Sequence, residues 1–169
     1  LNSVVGNFLQ TIVLRTNINA ECSFGALLHQ VRTAWLSALS NSNIPFELLV
    51  QELHPARQVG QNPLFQVAFA FHPPIPQYPD QWALSLEELD TETSKFDLTL
   101  FARETPAGVL CALEYNTNIF HRDTIERMAG HYSRLIEQVA LNPGVSLSRI
   151  DFLGDEEKQS LRAWSHLDA

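Results

Sequence analysis

The chain has 169 residues, of which 45 % are apolar and 18 % are charged. This size and balance are typical of one folded globular domain and exclude a disordered tail or a collagen-like chain. The formal net charge of −8 excludes a sequence-independent nucleic-acid binder, because such a protein needs a stripe of Lys and Arg to displace counterions from phosphates.

The start of the sequence and its cysteines indicate a cytoplasmic fragment. The chain begins at Leu1 on strand-like sequence, without the charged and apolar parts of a signal peptide. No apolar run reaches the about eighteen residues that span a membrane. Cys22 and Cys111 lie far apart and outside any metal-binding spacing, so we expect free thiols in a reducing compartment. We therefore expect a piece of a longer cytoplasmic protein that binds neither metal nor membrane.

The first third of the chain predicts a strand and two helices. Alternating β-branched and apolar residues over 7–16 indicate a strand buried on both faces. A stripe of apolar residues at helical spacing predicts a long helix that begins after Ser23 and runs to Leu39. Pro45, in the first turn, is expected to start a short second helix that ends at His54.

Residues 63–71 predict a second strand in the core. Large apolar side chains alternate there with small ones and would form one buried face, composed of Phe65, Val67, Phe69 and Phe71. The four prolines of 72–80 exclude regular structure and predict an extended connector or a loop that reaches elsewhere. Segments 95–104 and 109–116 then predict a hairpin, with Pro106 and Gly108 in its turn.

The last part of the chain predicts two helices. Asp123, with Glu126 at capping-box spacing, is expected to begin a long helix that ends near the Asn-Pro-Gly of 142–144. Segment 155–164 predicts one more short helix with few ties to the rest. The order of all these elements indicates an α/β fold, in which helices pack on a mixed sheet.

The side chains with catalytic potential form no convincing constellation. The sequence has six histidines but no HExxH, GxSxG, P-loop or Rossmann glycine pattern. His29 and His131 fall on polar helix faces and are interpreted as solvated residues. Asp97 is interpreted as a structural carboxylate that forms a hydrogen bond or an ion pair. The acidic run 87–92 fits a solvated strand edge better than a metal site.

Three segments resemble, in order and spacing, motifs of the condensation domains of nonribosomal peptide synthetases. VVGNFLQTIVLRTNI (4–18) resembles the fifth motif, NSNIPFELLVQEL (41–53) the sixth and ARQVGQNPLFQVAFAF (56–71) the seventh. KFDLTL and LEYNTNIFHRDTIERMAGHY resemble the hairpin and helix that follow in this family. LSRIDFLGDEEKQSLRAW resembles its linker to an adenylation domain, so that the resemblance covers essentially all of the chain.

This resemblance implies the C-terminal lobe of a two-lobed enzyme with a chloramphenicol-acetyltransferase-like fold. Residues 1–146 would form the lobe, and 147–169 would form the linker toward an adenylation domain. Five residues of the matching motifs are expected to have structural roles: Gly6, Pro45, Phe46, Glu47 and Pro63. Phe46 would anchor the helix that Pro45 starts.

The resemblance also implies a reaction, the formation of amide bonds between aminoacyl or peptidyl thioesters held on carrier proteins. The family's active-site motif, His-His-x-x-x-Asp-Gly, lies in the N-terminal lobe and does not occur in this chain. We therefore assign no catalytic residue to the chain and expect it to be inactive alone. Thr11, Arg57 and Asn62 match the family and are expected at the substrate tunnel or lobe interface, because they are polar groups at strand or loop ends.

Several motif positions depart from the family. Asn7 stands where an aromatic residue is common, and Gln10 where Asn is usual. Residues 41–43 read Asn-Ser-Asn in place of His-Gln-Asp, and Gln58 and Gln61 replace Asp and Arg. Loss of the cation at the last position removes a potential ion pair across the lobes. An alternative therefore stays open, a non-catalytic condensation-like module for recruitment or scaffolding.

The implied partners are other parts of a synthetase. They are the N-terminal lobe of the same domain, a peptidyl carrier protein with its phosphopantetheine arm, and an adenylation domain. We expect no directly bound cofactor and no nucleic acid. An isolated lobe would expose the apolar surface that its partner normally covers, so self-association is a further expectation.

Overall fold

The computed structural model describes residues 11–56, 61–74 and 92–165. They belong to two compact units, the first formed by the described parts of 1–56 and 130–169 and the second by those of 57–129. The elements in chain order are α1 (Phe24–Ser40), α2 (Phe46–Leu53), β1 (Val67–His72), β2 (Leu98–Thr105), β3 (Gly108–Tyr115), α3 (Arg122–Leu141), a 3₁₀ turn (Leu147–Arg149) and α4 (Asp155–Ser165).

Helix α1 begins where the sequence predicts it. The Ser23 hydroxyl accepts a hydrogen bond at 3.2 Å from the amide three residues on, which satisfies one unpaired N–H of the first turn. The Phe24 N–H donates to the Val145 carbonyl oxygen at 3.0 Å. The Gly25 N–H donates to the Pro143 carbonyl oxygen at 2.7 Å. The start of α1 is thereby joined to the segment that follows α3.

Helix α2 ends as predicted and differs by one position at its start. Pro45 precedes the first turn as the N-cap residue, with an extended backbone (φ −60°, ψ 142°). At the other end His54 adopts a left-handed conformation with φ of 43°, and its N–H donates to the Val50 carbonyl oxygen. Pro55 follows and cannot continue the helix, because it lacks an N–H. The predicted end at His54 is confirmed.

The described strands form a mixed sheet in the order β1-β2-β3. Strand β1 runs parallel to β2, with Val67 opposite Leu98, and β2 runs antiparallel to β3. The predicted hairpin is confirmed, and its last pair is Thr105 with Gly108. Gly108 has a φ of 134°, a conformation that glycine adopts without steric cost. Its carbonyl oxygen also accepts a hydrogen bond from the Thr105 hydroxyl at 2.9 Å.

The predicted first strand is wrong for the residues that the structure describes. Residues 11–16 have neither strand nor helix structure, whereas 7–10 lie outside the described ranges. Alternation of apolar residues indicates which faces favour burial but does not identify a partner strand. Without paired N–H and C=O groups, an extended segment is not part of a sheet.

The apolar face of β1 is also less buried than predicted. Phe69 is 63 % exposed, and Val67 and Phe71 are exposed as well. Phe65 lies before the strand, where its ring packs against that of Phe96 with centroids 5.0 Å apart. The apolar side chains of β1 therefore lie open at this end of the sheet, although their pattern is that of a core strand.

The most buried side chains lie on β2 and α3. Ala102 on β2 and Ile125 and Val139 on α3 are the buried apolar residues in the described part of the chain. Thr99 on β2 is equally buried, and its hydroxyl oxygen has no hydrogen-bond partner there. Because β2 pairs on both sides, its backbone polar groups can be satisfied by its neighbours, and two of its side chains, Thr99 and Ala102, are buried.

Helix α3 begins without the predicted capping box. Its first residue is Arg122, so Asp123 lies inside the first turn and does not cap it. Glu126 forms an ion pair at 2.7 Å with Arg122, four residues earlier, and does not reach back to a cap. This hydrogen bond raises the pKa of Arg122 above its ordinary value. The predicted helix is confirmed, but Glu126 takes part in an i,i+4 ion pair and not in a capping box.

Two predictions about the end of the chain are wrong, because α4 is tied to α3. His131 is not a solvated residue: its Nε2 lies 2.6 Å from Oε2 of Glu157 on α4. The Gln138 side chain bonds both the N–H and the carbonyl oxygen of Asp151. The helical periodicity of the sequence identifies the apolar face of α3. His131 and Gln138, which make these contacts, lie instead on its polar face.

The ion pair of Asp151 with Lys158 should make stability depend on pH in the acid range. The hydrogen bond from Lys158 lowers the pKa of Asp151 below its ordinary 3.8. Because the pKa of Asp151 is lower in the folded chain than in the unfolded chain, the ion pair contributes its full stabilisation above the ordinary pKa. This stabilisation is lost as pH falls through the pKa of the folded chain. Asp151→Asn should therefore destabilise the chain slightly at about pH 6, and the difference should shrink below about pH 4.

Urea unfolding of both forms across this pH range measures the difference. Glu137→Gln, which removes an exposed carboxylate of α3, is the matched control. A difference between Asp151→Asn and the parent chain that is the same at every pH would contradict the prediction.

Candidate functional site

Asn62 and the residues after it form a turn that leads into the sheet. The Asn62 Oδ1 accepts hydrogen bonds from the backbone N–H groups of Leu64 at 3.0 Å and Phe65 at 3.2 Å. The Asn62 carbonyl oxygen accepts another from the Gln66 side-chain amide at 2.9 Å. This Asx-type turn occupies 62–65, so that β1 begins at Val67, four residues later than predicted.

The same turn positions the chain against β2. The carbonyl oxygen of Gln66 accepts hydrogen bonds from the N–H groups of Asp97 at 3.0 Å and Leu98 at 3.3 Å. The Asp97 carbonyl oxygen in turn accepts from the Asn116 N–H at 3.0 Å. Through its backbone, Asp97 therefore joins the start of β2 to both neighbouring segments. The predicted structural role of its carboxylate stays a prediction.

The structure places two of the three predicted tunnel residues in different units. Thr11 is exposed and lies in the first unit, whereas Asn62 is half-buried and lies in the second. Arg57 and the motif residue Gly6 lie outside the described residues. A common position of Thr11, Arg57 and Asn62 at one cleft therefore stays a prediction. The amide oxygen of Asn62 is already used by its own turn.

The remaining motif residues are positioned at local turns and helix ends. Phe46 is half-buried in the first turn of α2, and Pro45 before it is exposed. Glu47 is the acidic residue of that first turn, where a carboxylate interacts favourably with the helix dipole. Pro63 follows Asn62 inside the turn and is half-buried. The structural roles of these residues stay predictions.

A polar cleft that was not predicted lies in the second unit. It has a volume of about 1300 Å³ and is lined by β2, β3 and the segments 92–94 and 116–118. His72 and Arg103 occupy register-paired positions beside it, and the His72 ring stacks on Phe101 with centroids 6.0 Å apart. Glu114 also lines the cleft. Such groups can bind a polar ligand.

The sequence contained a signal for this cleft. Phe101 and Arg103 share one face of β2, and Ala112 and Glu114 share the same face of β3, as their alternation and the hairpin turn require. His72 joins that face only through the parallel pairing of β1 with β2. That pairing joins residues about thirty positions apart, so the pattern of each segment alone does not predict its register.

Two observations on metal ligands and membrane-spanning helices concern the described residues alone. Within them, no group of three or more His, Cys, Asp and Glu side chains is arranged to hold a metal ion. No helix in these ranges combines the length and apolar character needed to cross a bilayer. Cys22 and Cys111 are free thiols, as expected.

Comparison with known families and proteins gives consistent matches. The sequence model of the Condensation domain family matches residues 1–162. One of the linear gramicidin synthase proteins of Brevibacillus parabrevis is 40 % identical over 96 % of the chain, which spans 2 % of that protein. Bacitracin synthase 3 of Bacillus licheniformis is 36 % identical over 95 % of the chain, which spans 3 % of that protein.

Solved structures give the same result for the fold. The X-domain in its complex with OxyB, from teicoplanin biosynthesis, is 28 % identical with a TM-score of 0.72 over 84 % of this chain and 32 % of its own. A four-domain nonribosomal peptide synthetase bound to AMP and glycine is 19 % identical with a TM-score of 0.72, over 84 % of this chain and 12 % of its own. These likenesses confirm the predicted α/β, chloramphenicol-acetyltransferase-like fold class.

Proposed function

Because the chain belongs to the Condensation domain family, we propose that it is the C-terminal lobe of a domain that joins carrier-bound aminoacyl or peptidyl thioesters through an amide bond. The observation that carries this proposal is the family match over residues 1–162. Identities of 33–40 % to several peptide synthases support it. Residues 147–169 belong in this proposal to the linker toward an adenylation domain.

The proposed reaction needs groups that this chain does not supply. The acceptor amine attacks the thioester carbonyl, the amide bond forms and the thiol leaves, so one proton must move from nitrogen to sulfur. The base would come from the His-His-x-x-x-Asp-Gly motif of the N-terminal lobe. The part of this chain is to form one wall of the site and hold the substrates in position.

The proposed partners follow from the same role. They are the N-terminal lobe, a peptidyl carrier protein and an adenylation domain, in the cytoplasm. The phosphopantetheine arms belong to the carrier proteins and enter as parts of the substrates, and no residue of this chain is assigned to hold one. Apolar side chains such as Phe69 and Trp35 are exposed, which supports the presence of a partner that covers them. Without such a partner, the same side chains favour self-association.

A second candidate function is the recruitment of another protein without catalysis. One observation favours it: the teicoplanin X-domain, to which this chain is 28 % identical, was solved in complex with OxyB. The two functions differ in what the complete domain does with loaded carriers. Product formation by the parent protein supports the first function. Absence of product, with stable capture of a partner protein, supports the second.

Arg57→Ala in the parent protein should lower the turnover of peptide-bond formation about tenfold, the equivalent of roughly 1.4 kcal/mol. Our reason is the proposed position of Arg57 at the substrate tunnel or lobe interface, where loss of a charged hydrogen-bonding group weakens substrate positioning. Product formation from loaded carriers, followed by mass spectrometry, measures the rate. Arg127→Ala, at an exposed position of α3, is the control. An unchanged rate in Arg57→Ala removes Arg57 from the site.

A further inference from the structure

A stripe of three polar side chains on α3 contacts the segment that leads into α4. His131, Arg134 and Gln138 lie three and four positions apart, a spacing that puts them on one side of a helix. Each contacts the segment 151–157 in the first unit. We call these three side chains the clasp.

His131 makes the most enclosed contact of the clasp. Its Nε2 lies 2.6 Å from Glu157 Oε2, and the two side chains are only 24 % and 28 % exposed. The geometry fits an Nε2–H that donates to the carboxylate. The imidazole also meets the Phe152 ring edge-on, with centroids 5.4 Å apart. A charge-assisted hydrogen bond shielded by an aromatic ring is stronger than one in open solvent.

Gln138 bonds the backbone of the segment, and Arg134 lies close to its glycine. The Asp151 N–H donates to Gln138 Oε1 at 3.1 Å, and Gln138 Nε2 donates to the Asp151 carbonyl oxygen. The Gln138 amide thus bonds both the N–H and the carbonyl oxygen of Asp151, as a residue of an adjacent antiparallel strand would. The Arg134 guanidinium lies over Gly154, 2.9 Å from where a Cβ would be. The absence of a side chain at Gly154 permits this approach.

The segment is braced internally as well. Lys158, on the first turn of α4, pairs with Asp151 through its side chain, and its backbone N–H donates to the Gly154 carbonyl oxygen at 2.9 Å. The residue held by Gln138 is therefore linked to the helix that carries Glu157. Asp151, before α4, and Glu157, in its first turn, are both held by side chains of α3, which restrains the orientation of α4.

We propose that the clasp fixes the direction in which α4 leaves the domain and that His131 is a positioning residue for the transfer of substrate from the acceptor carrier tethered beyond the linker. This inference rests on the proposed function for the identity of that carrier. The contacts themselves lie within one unit of this chain. Loss of the clasp should free α4 without altering the site at which the amide bond forms.

Hydrogen exchange of the parent protein tests the clasp directly. His131→Ala should make the backbone amides of α4 exchange at least about tenfold faster, because the bond to Glu157 is lost. His131→Gln, whose side-chain amide can still donate, should restore much of the protection. His29→Ala, at an exposed position of α1, is the matched control and should leave α4 unchanged. Circular dichroism checks that each variant keeps its helix content.

Turnover provides the second measurement. In His131→Ala, peptide-bond formation should slow when the acceptor carrier is tethered after the linker and stay unchanged when that carrier is supplied as a separate protein. Unchanged exchange in α4, or an equal loss of rate with tethered and separate carriers, would overturn the proposal. If the parent protein forms no product at all, the proposed function fails, while the exchange rates still decide whether the clasp holds α4.

Discussion

The 169-residue chain, purified alone, should form no peptide bond between loaded carriers above the uncatalysed rate. It lacks the His-His-x-x-x-Asp-Gly motif, and a positioned general base alone contributes about 10²- to 10⁴-fold to such reactions. Loss of the opposite wall of the site also removes the positioning of the two substrates, whose contribution can be larger still. We therefore expect a rate lower than that of the parent domain by at least about a thousandfold.

Product formation measured by mass spectrometry, with the same loaded carriers and equal concentrations of chain and parent domain, checks this expectation. Adding the separately produced N-terminal lobe should restore part of the activity if the two lobes associate. Product formation by the chain alone would instead indicate a catalytic site in its polar cleft. In that case His72→Ala, which removes the imidazole beside Arg103, should abolish the activity.

Ile125→Ala should destabilise the chain by about 2–4 kcal/mol. Ile125 lies in the first turn of α3 and is only 6 % exposed, so that truncation removes buried methyl groups and leaves a cavity. So large a loss is a considerable part of the roughly 5–15 kcal/mol that stabilises a typical domain. Soluble yield should fall together with stability.

The same substitution at a nearby isoleucine is the control. Ile119 is 51 % exposed, so Ile119→Ala should cost less than about 1 kcal/mol. Urea unfolding followed by circular dichroism measures both variants against the parent chain. Equal losses of unfolding free energy in the two variants would contradict the prediction that the buried Ile125 stabilises the chain more than the exposed Ile119.

Elements with local signals were predictable from the sequence. The Ser23 cap, the end of α2 at His54 and the β2–β3 hairpin each depend on a few neighbouring residues, and the structure confirms all three. Elements that depend on distant partners were not predictable. The parallel pairing of β1 with β2 and the contact of His131 with Glu157 leave no periodic pattern, because each joins residues separated by many positions.

The features of the candidate site also divide into those that the sequence predicts and those that only the structure shows. The motif around Asn62 was found by its resemblance to a family, but its turn, in which the amide oxygen caps two backbone N–H groups, is seen only in the structure. The polar cleft requires three strands to be aligned before His72, Arg103 and Glu114 share a face. Reading each strand alone could suggest each residue separately but could not bring the three together.

The two strand pairings of the sheet have unequal entropic costs of formation. The hairpin closes over only a few residues between Thr105 and Gly108, whereas the pairing of Val67 with Leu98 closes a loop of about thirty. Since loop-closure entropy grows with the logarithm of loop length, attaching β1 costs about 2 kcal/mol more than closing the hairpin. The strand that carries the exposed phenylalanines is thus also the one whose attachment has the largest entropic cost.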